Sequence, residues 1–330
     1  MGPVQNDQTW IKHKLRNLWQ DRTLRVLLIS TLLILIMGSL RPDKPAGLYP
    51  DQYWALKTLW HHCANMVVAG DSRVVQGVSP SEMKKILPRH QILNYGFYGV
   101  CYSQDYLKAI EKVLNAESPQ KTIILGISPH AITGSPEKMD GFRQAFEQAG
   151  TNKFLDIHLA GLVFFFEPMS FRDALYGLFP QLKKSHTFTE FFADGWVGCL
   201  VEPESKKHEL RRYQKIFQQE QVSPQIQENV LHFVSRWTAA GIRVYGFRPP
   251  SCTEMLILEN ELSGFNEDIF TQAFEAAGGI WLEINQLAYR TFDGSHLRRD
   301  AAQQLSVDLA QKILHAENIL TQGKNISHIQ

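Results

Sequence analysis

The sequence predicts an α/β fold built on a parallel sheet covered on both faces, with one membrane helix ahead of it. Three observations lead there. Short apolar runs alternate in strict turn with helical patterns along most of the chain, the signature of strands joined by helical crossovers. A length of 330 residues with 44% hydrophobic content can bury a full core, as one large α/β domain or two small ones. Near the N-terminus an uncharged stretch stands apart from that rhythm.

The strand runs are Met66 to Ala69, Ile92 to Tyr95, Thr122 to Ile127, Ile242 to Phe247 and Ile280 to Ile284. Helical spacing covers Ser79 to Leu87, Ser103 to Leu114, Met139 to Ala149, Ser223 to Ala240, Glu267 to Ala277 and Leu297 to Leu314. Residues 150–220 interrupt the alternation and read as an insertion. Within it LAGLVFFFEPMSF, Leu159 to Phe171, is too short for a second span and carries Glu167, so it reads as a core helix of an inserted subdomain. The alternative is a surface for a membrane or a partner. From Leu178 to Glu204 the chain is aromatic and glycine-bearing without a clear period.

From Val26 to Leu40 runs VLLISTLLILIMGSL, closed by Arg41 and Pro42. It falls short of the roughly 20 apolar residues of a typical span, but Thr23 and Leu24 extend it and flanking arginines can snorkel. A cleaved signal peptide and a buried core helix are the rival readings. The long polar segment before it and the lack of an A-x-A site after Gly38 favour an uncleaved anchor over 23–40. Lys12, Lys14, Arg16, Arg22 and Arg25, against Asp7 and Asp21, place residues 1–22 in the cytoplasm and the body outside it. A linker over 41–62, with Pro42, Pro45, Gly47 and Pro50, then leads to a body over 63–318 and a frayed tail over 319–330.

A formal charge of +1 gives no footprint for nucleic acid. Cys63, Cys101, Cys199 and Cys252 lie far apart with no C-x-x-C pair, which argues against a zinc or thioredoxin-type site and leaves buried thiols or up to two disulfides.

Four short pieces fall just after predicted strands, where ligands of parallel sheets bind. They are Gly70-Asp71-Ser72, NYGFYG from Asn94 to Gly99, GISPHAITG from Gly126 to Gly134, and FDGSHL from Phe292 to Leu297. A serine nucleophile needs a base, an acid that orients the base, and donors for the oxyanion. Asp293 and His296, three residues apart, can pair within one turn and leave the second ring nitrogen for Ser72. Each piece also has a plainer reading: Asp71, Ser72 and Asp293 are good helix caps, and the NYGFYG glycines suit an ordinary strand-to-helix turn.

Taken in this order the pieces resemble the SGNH, or GDS-type, hydrolase superfamily. Gly70-Asp71-Ser72 matches its first block, Asn94, Gly96 and Gly99 its second, and Asp293 and His296 its last, over about residues 63–318. The resemblance implies a three-layer α/β/α, flavodoxin-like fold with Ser72 as nucleophile, His296 as base and Asp293 as its partner. It implies backbone oxyanion donors at Ser72 and Gly99, and no metal or organic cofactor. The third block departs, with Gly126-Ile127-Ser128-Pro129 where the superfamily has Gly-x-Asn-Asp, leaving Ser128 or His130 to replace the asparagine amide. That Ile-Ser-Pro and the anchor look like the membrane-anchored proteins of cell-envelope acylation, such as the D-alanyl-lipoteichoic acid biosynthesis and alginate O-acetylation proteins.

The expected substrate is therefore an acyl or acetyl ester of a glycan or lipid-linked carrier, with a membrane acyltransferase as a candidate partner. A weakly catalytic envelope scaffold is one alternative. Another is a small-molecule lipase or thioesterase with an acyl tunnel beneath Phe164 to Phe166. Arg73 and Arg248, the latter in GFRPP, either hold an anionic or carbonyl-bearing substrate group or serve structure, Arg73 in a local salt bridge and Arg248 in holding a loop.

Overall fold

In the computed structural model, which describes residues 21–41, 46–135, 138–182 and 186–327, the described residues fall into two units. One holds 21–41 with 159–182, the other 46–158 with 186–327. Most of the expected cytoplasmic segment, the linker residues Pro42 and Pro45, and the last three residues of the tail lie outside the described residues.

In chain order the elements are α1 (Arg22–Ser39), β1 (Ala46–Gly47), α2 (Pro50–Lys57), β2 (Met66–Gly70), α3 (Ser72–Gly77), α4 (Pro80–Ile86), β3 (Ile92–Asn94), α5 (Gln104–Val113), β4 (Thr122–Gly126) and α6 (Gly141–Glu147). They continue with α7 (Gly150–His158), α8 (Ala160–Phe166), α9 (Phe171–Leu178), β5 (His186–Phe191), β6 (Val197–Glu202), α10 (Lys207–Gln219) and α11 (Pro224–Ala239). The last are β7 (Arg243–Phe247), α12 (Thr253–Leu262), α13 (Glu267–Ala276), β8 (Ile280–Trp281) and α14 (Arg299–Ser327).

The five predicted strands form one parallel sheet in the order β3-β2-β4-β7-β8. Every residue of β2 and β4 is buried, so both strands read as unbroken apolar runs. Side chains alternate between two cores. Val67, Ala69, Ile123 and Leu125 pack with α5 and α11, and Met66, Val68 and Ile124 pack with α14. The chain leaves β2 for β3 on one side and returns to β4 on the other, which opens a switch-point crevice at their C-terminal ends. There the register sets Gly70 opposite Gly126.

Besides the helices α10 and α12, which the sequence reading lacks, three regions differ from it. The stretch around 178–204 is an antiparallel hairpin of β5 and β6, with β1 beside β5, and Tyr53, Val75 and Val197 form its core. The final helix continues to Ser327, through most of the predicted tail. The core helix expected over 159–171 is not one: in α8 only Ala160 is buried, and Leu162, Phe166 and Phe171 are exposed. All four cysteines are free thiols. A helix stands where the apolar run was read: α1 spans 18 residues, about 27 Å, is capped by Asp21, buries none of its residues, and is long and apolar enough to cross a membrane.

The turn out of β2 admits no side chain on Gly70. Its φ is +155°, and a Cβ there would lie 2.4 Å from Val74 Cγ2 and 2.9 Å from the Gly126 carbonyl. Gly70→Ala therefore costs about 1–3 kcal/mol of stability, measured as a drop in the urea unfolding midpoint; an unchanged midpoint would show that the turn relaxes freely.

Candidate active site

Ser72 is the first residue of α3, immediately after Asp71, the residue that caps it. The cap is made by Asp71 Oδ1 accepting from the Arg73 N–H at 3.0 Å. Position one of a helix has no intrahelical acceptor for its N–H, so the Ser72 amide is left free to point at a ligand. The side chain is half-buried.

The loop before α14 supplies the other half. Asp293 Oδ1 accepts from the backbone N–H groups of Ser295 and His296 at 2.9 and 2.7 Å, which folds 293–296 into a tight turn. Gly294, at φ +90°, allows that turn, and its carbonyl accepts from Cys252 N–H. The turn swings the imidazole back over its own aspartate: His296 Nδ1 lies 2.7 Å from Asp293 Oδ2. The other ring nitrogen, Nε2, lies 2.8 Å from Ser72 Oγ. Burial pushes the Asp293 carboxyl up, but the hydrogen bonds and charge of His296 and the two backbone donors outweigh it and hold the group below the ordinary carboxylate range. Phe292 stacks on the imidazole at 5.9 Å and shields one face.

Of the remaining predicted residues, Asn94 and Ser128 have other duties. Asn94 is fully buried; its amide donates to the carbonyls of Val74 and Val78 at 2.7 and 2.8 Å, and its oxygen accepts from Gly96 N–H. Both donors of Asn94 are spent tying its loop to α3, so it offers none to a substrate. Gly99 is exposed at φ +61°, with open space where a side chain would be. Ser128 is buried and donates its hydroxyl hydrogen to Asp71 Oδ2 at 2.5 Å while accepting from Ala131 N–H. That removes Ser128 as a substitute for the missing amide. His130 packs edge-on against Tyr213 at 5.3 Å.

Arg73 and Arg248 are consumed in ion pairs, which corrects their reading as substrate-binding groups. Both pair with Glu259, itself wholly buried; Arg248 also reaches Glu267 at 2.7 Å and Asn260 at 3.1 Å. Arg73 Nε further donates to Ser295 Oγ at 3.0 Å, and that hydroxyl donates to Tyr213. Ser295, Tyr213 and Glu259 carry no motif in the sequence; Glu259, in TEMLILENEL, looks like one more surface charge.

Two further features escape the sequence reading. Lys57 is fully buried among the rings of Tyr53, Trp54, Trp60 and Phe97, and its ammonium donates to the carbonyls of Gly96 at 2.7 Å and Gly195 at 3.2 Å. Burial pushes it well below the usual lysine range, with Asp194 opposing. A lysine inside the aromatic run YWALKTLW was its available signal. Glu209, Asp293 and His296 bring ligand atoms within 4.8 Å of one another, the spacing of a metal trio. However, His296 engages Asp293 and Ser72 through its two ring nitrogens, and Glu209 pairs with Arg212, so the trio's donors are committed to one another and to their neighbours.

Comparison with known proteins adds little. No family model matches the chain, and no curated protein matches it. Among solved structures, a Streptococcus pneumonia protein provisionally described as a platelet activating factor aligns over 89% of this chain and 99% of its own. The identity is 14% and the TM-score 0.34, a likeness too low to bear on fold or chemistry.

Removing the shared carboxylate leaves two buried guanidinium groups short of a partner, so Glu259→Ala lowers the unfolding free energy by about 3–5 kcal/mol. A urea titration showing under about 1 kcal/mol, the worth of an exposed pair, would mean that water reaches the cluster.

Desolvation brings His130 down to about 4 from its ordinary 6.5; the Asp71 charge opposes this, and the charges of Arg212, Arg73 and Lys138 add to it. A neutral native ring that protonates more easily once unfolded stabilises fully above 6.5, and that contribution is lost as pH falls toward 4. The urea midpoint should fall across that window, and fall less in His130→Leu; parallel curves would place the pH sensitivity elsewhere.

Proposed function

We propose that the chain is a serine esterase or O-acyltransferase of the SGNH type, with the three-layer α/β/α arrangement that implies. The reading rests on one observation: an unbroken hydrogen-bond chain from Ser72 Oγ through His296 to Asp293 at the mouth of the switch-point crevice. Ser72 meets there an Asp293–His296 pair more than 200 residues further along the chain, in the order that nucleophilic acyl transfer requires.

In this reading Ser72 Oγ attacks an acyl carbonyl while His296 Nε2 takes its proton. Asp293, held ionised, fixes the tautomer and stabilises the imidazolium. The N–H groups of Ser72 and Gly99 receive the oxyanion, a stabilisation worth several kcal/mol where donors are preorganised. The tetrahedral intermediate expels the alcohol, which takes the proton from His296. Water or a sugar hydroxyl then attacks the acyl-serine, with His296 again as base.

The apolar helix α1 supports a membrane-anchored enzyme, and the basic residues before it support a body outside the cytoplasm. The substrate is then an acyl or acetyl ester on an envelope glycan or lipid-linked carrier, with a membrane acyltransferase as partner. A scaffold with little catalysis is the second reading, favoured by the engagement of Ser128 with Asp71, which removes Ser128 as a donor in the third block. The acyl tunnel beneath Phe164 to Phe166 has less support: Phe165 packs on Gly38 and Phe164 on Arg41, within the unit of the N-terminal helix.

Single-turnover mass spectrometry of the full chain with p-nitrophenyl acetate tests the proposal. The expected result is an acetyl group on Ser72 that is absent from Ser72→Ala and His296→Ala, with Asp293→Asn slowed on the order of 10⁴-fold. An adduct that survives in Ser72→Ala, or none in folded wild type, favours the scaffold.

A further inference from the structure

We propose that residues 159–182 are a membrane-interface element whose exposed apolar side chains enter the same bilayer as α1. The proposal rests on α1 lying in a membrane and is independent of the chemistry at Ser72.

The segment is built the wrong way round for water. Leu162, Phe166, Phe171, Leu178, Phe179 and Leu182 are all exposed, Phe171 to 81%, while the buried positions of α8 and α9 are two alanines. So dense a set of large apolar side chains on one short segment marks an interaction surface. Neither helix can cross a bilayer: α8 and α9 have 7 and 8 residues, about 10–12 Å each. Short helices with apolar faces lie in the plane of the interface instead.

Their place is fixed by contacts with the end of α1. The Phe165 ring sits directly on Gly38, where a Cβ would come within 2.5 Å of Cζ and the ring would have to shift. Arg41, which closes the apolar run, lies 4.6 Å over the Phe164 ring and pairs with the Glu167 carboxylate at 3.5 Å, also donating to the Glu167 carbonyl. In a spanning helix, Gly38 and Arg41 stand at the boundary between acyl chains and headgroups. The charged side of the segment agrees: Glu167 is neutralised by Arg41, and Asp173 is bound to Ser170 at the start of α9.

A protein partner would also cover apolar side chains. The bilayer is favoured because the exposed surface is continuous with α1, none of whose residues is buried. Side chains such as Phe171 then reach about 5–10 Å into the headgroup and acyl boundary.

The test uses the full chain in nanodiscs of phosphatidylethanolamine and phosphatidylglycerol, with photoreactive p-benzoylphenylalanine replacing one residue at a time. Phe166 and Phe171 probe the segment, Leu32 the middle of α1, and Leu287 is an exposed apolar control in the body. Illumination and mass spectrometry should give lipid adducts at 32, 166 and 171 and none at 287. With the probe at Leu178, Phe171→Glu should cut lipid adducts on the order of tenfold, the effect of losing one buried aromatic side chain. Lipid adducts at 32 but none at 166 or 171 would overturn the proposal and leave the anchor standing. Adducts to a protein rather than lipid at 171, in membranes of the native cell, would overturn it in favour of a partner. Loss of adducts at all three positions would overturn both.

Discussion

The geometry of the candidate site depends on a buried hydrogen bond between the chain neighbours of Ser72 and His296. Arg73 follows Ser72, Ser295 precedes His296, and the guanidinium of one donates to the hydroxyl of the other. The 2.8 Å separation of Ser72 Oγ and His296 Nε2 joins residues 224 positions apart, on loops that share no backbone ladder. Two loops each free to shift by an ångström would not hold such a distance, and catalytic constellations lose most of their effect at that displacement. The Arg73 link converts two loops into one piece. Ser295 passes the constraint on to Asp293 through its N–H and to α10 through Tyr213.

Burying that guanidinium costs several kcal/mol unless it is paired with good geometry. Glu259 supplies the carboxylate and shares it with Arg248, whose second partner is Glu267. Two positive and two negative side chains therefore form one closed cluster behind the site. It connects the exits of β2 and β7 to α12 and α13. A well-packed apolar cluster of the same volume would stabilise as much or more. What the ion pairs add is direction, since a guanidinium fork fixes both distance and angle.

The sheet was legible because β2 and β4 are buried on both faces and so read as continuous apolar runs. The loops after them were legible because glycine, aspartate and histidine carry local constraints. The hairpin of β5 and β6 was not: only part of it faces a core, the small one around Tyr53 and Val197, so no clean alternation marks it. The helix α12 was hidden by Glu254, Glu259 and Glu261, which look alike in sequence although Glu259 alone is buried among them. Arg73 and Arg248 were ambiguous for the same reason: a cation's duty is set by the carboxylate that arrives from elsewhere in the chain. The segment 159–171 looked like core because a sequence shows apolarity, not what surrounds it.

The Ser128–Asp71 hydrogen bond bears on the course of the proposed reaction. Asp71 has a fully buried carboxyl and needs two donors; the Arg73 N–H is one and the Ser128 hydroxyl the other. With that hydrogen committed, Ser128 gives the developing oxyanion no donor, and a missing donor of this kind costs on the order of 10²–10³ in rate. The loss falls equally on formation and breakdown of the acyl-serine, because both pass through the same oxyanion. It slows hydrolysis and transfer together and cannot select between them. Selection must then come from which hydroxyl reaches the acyl-serine and how far water is kept from it, a property of what covers the half-buried Ser72 rather than of the triad.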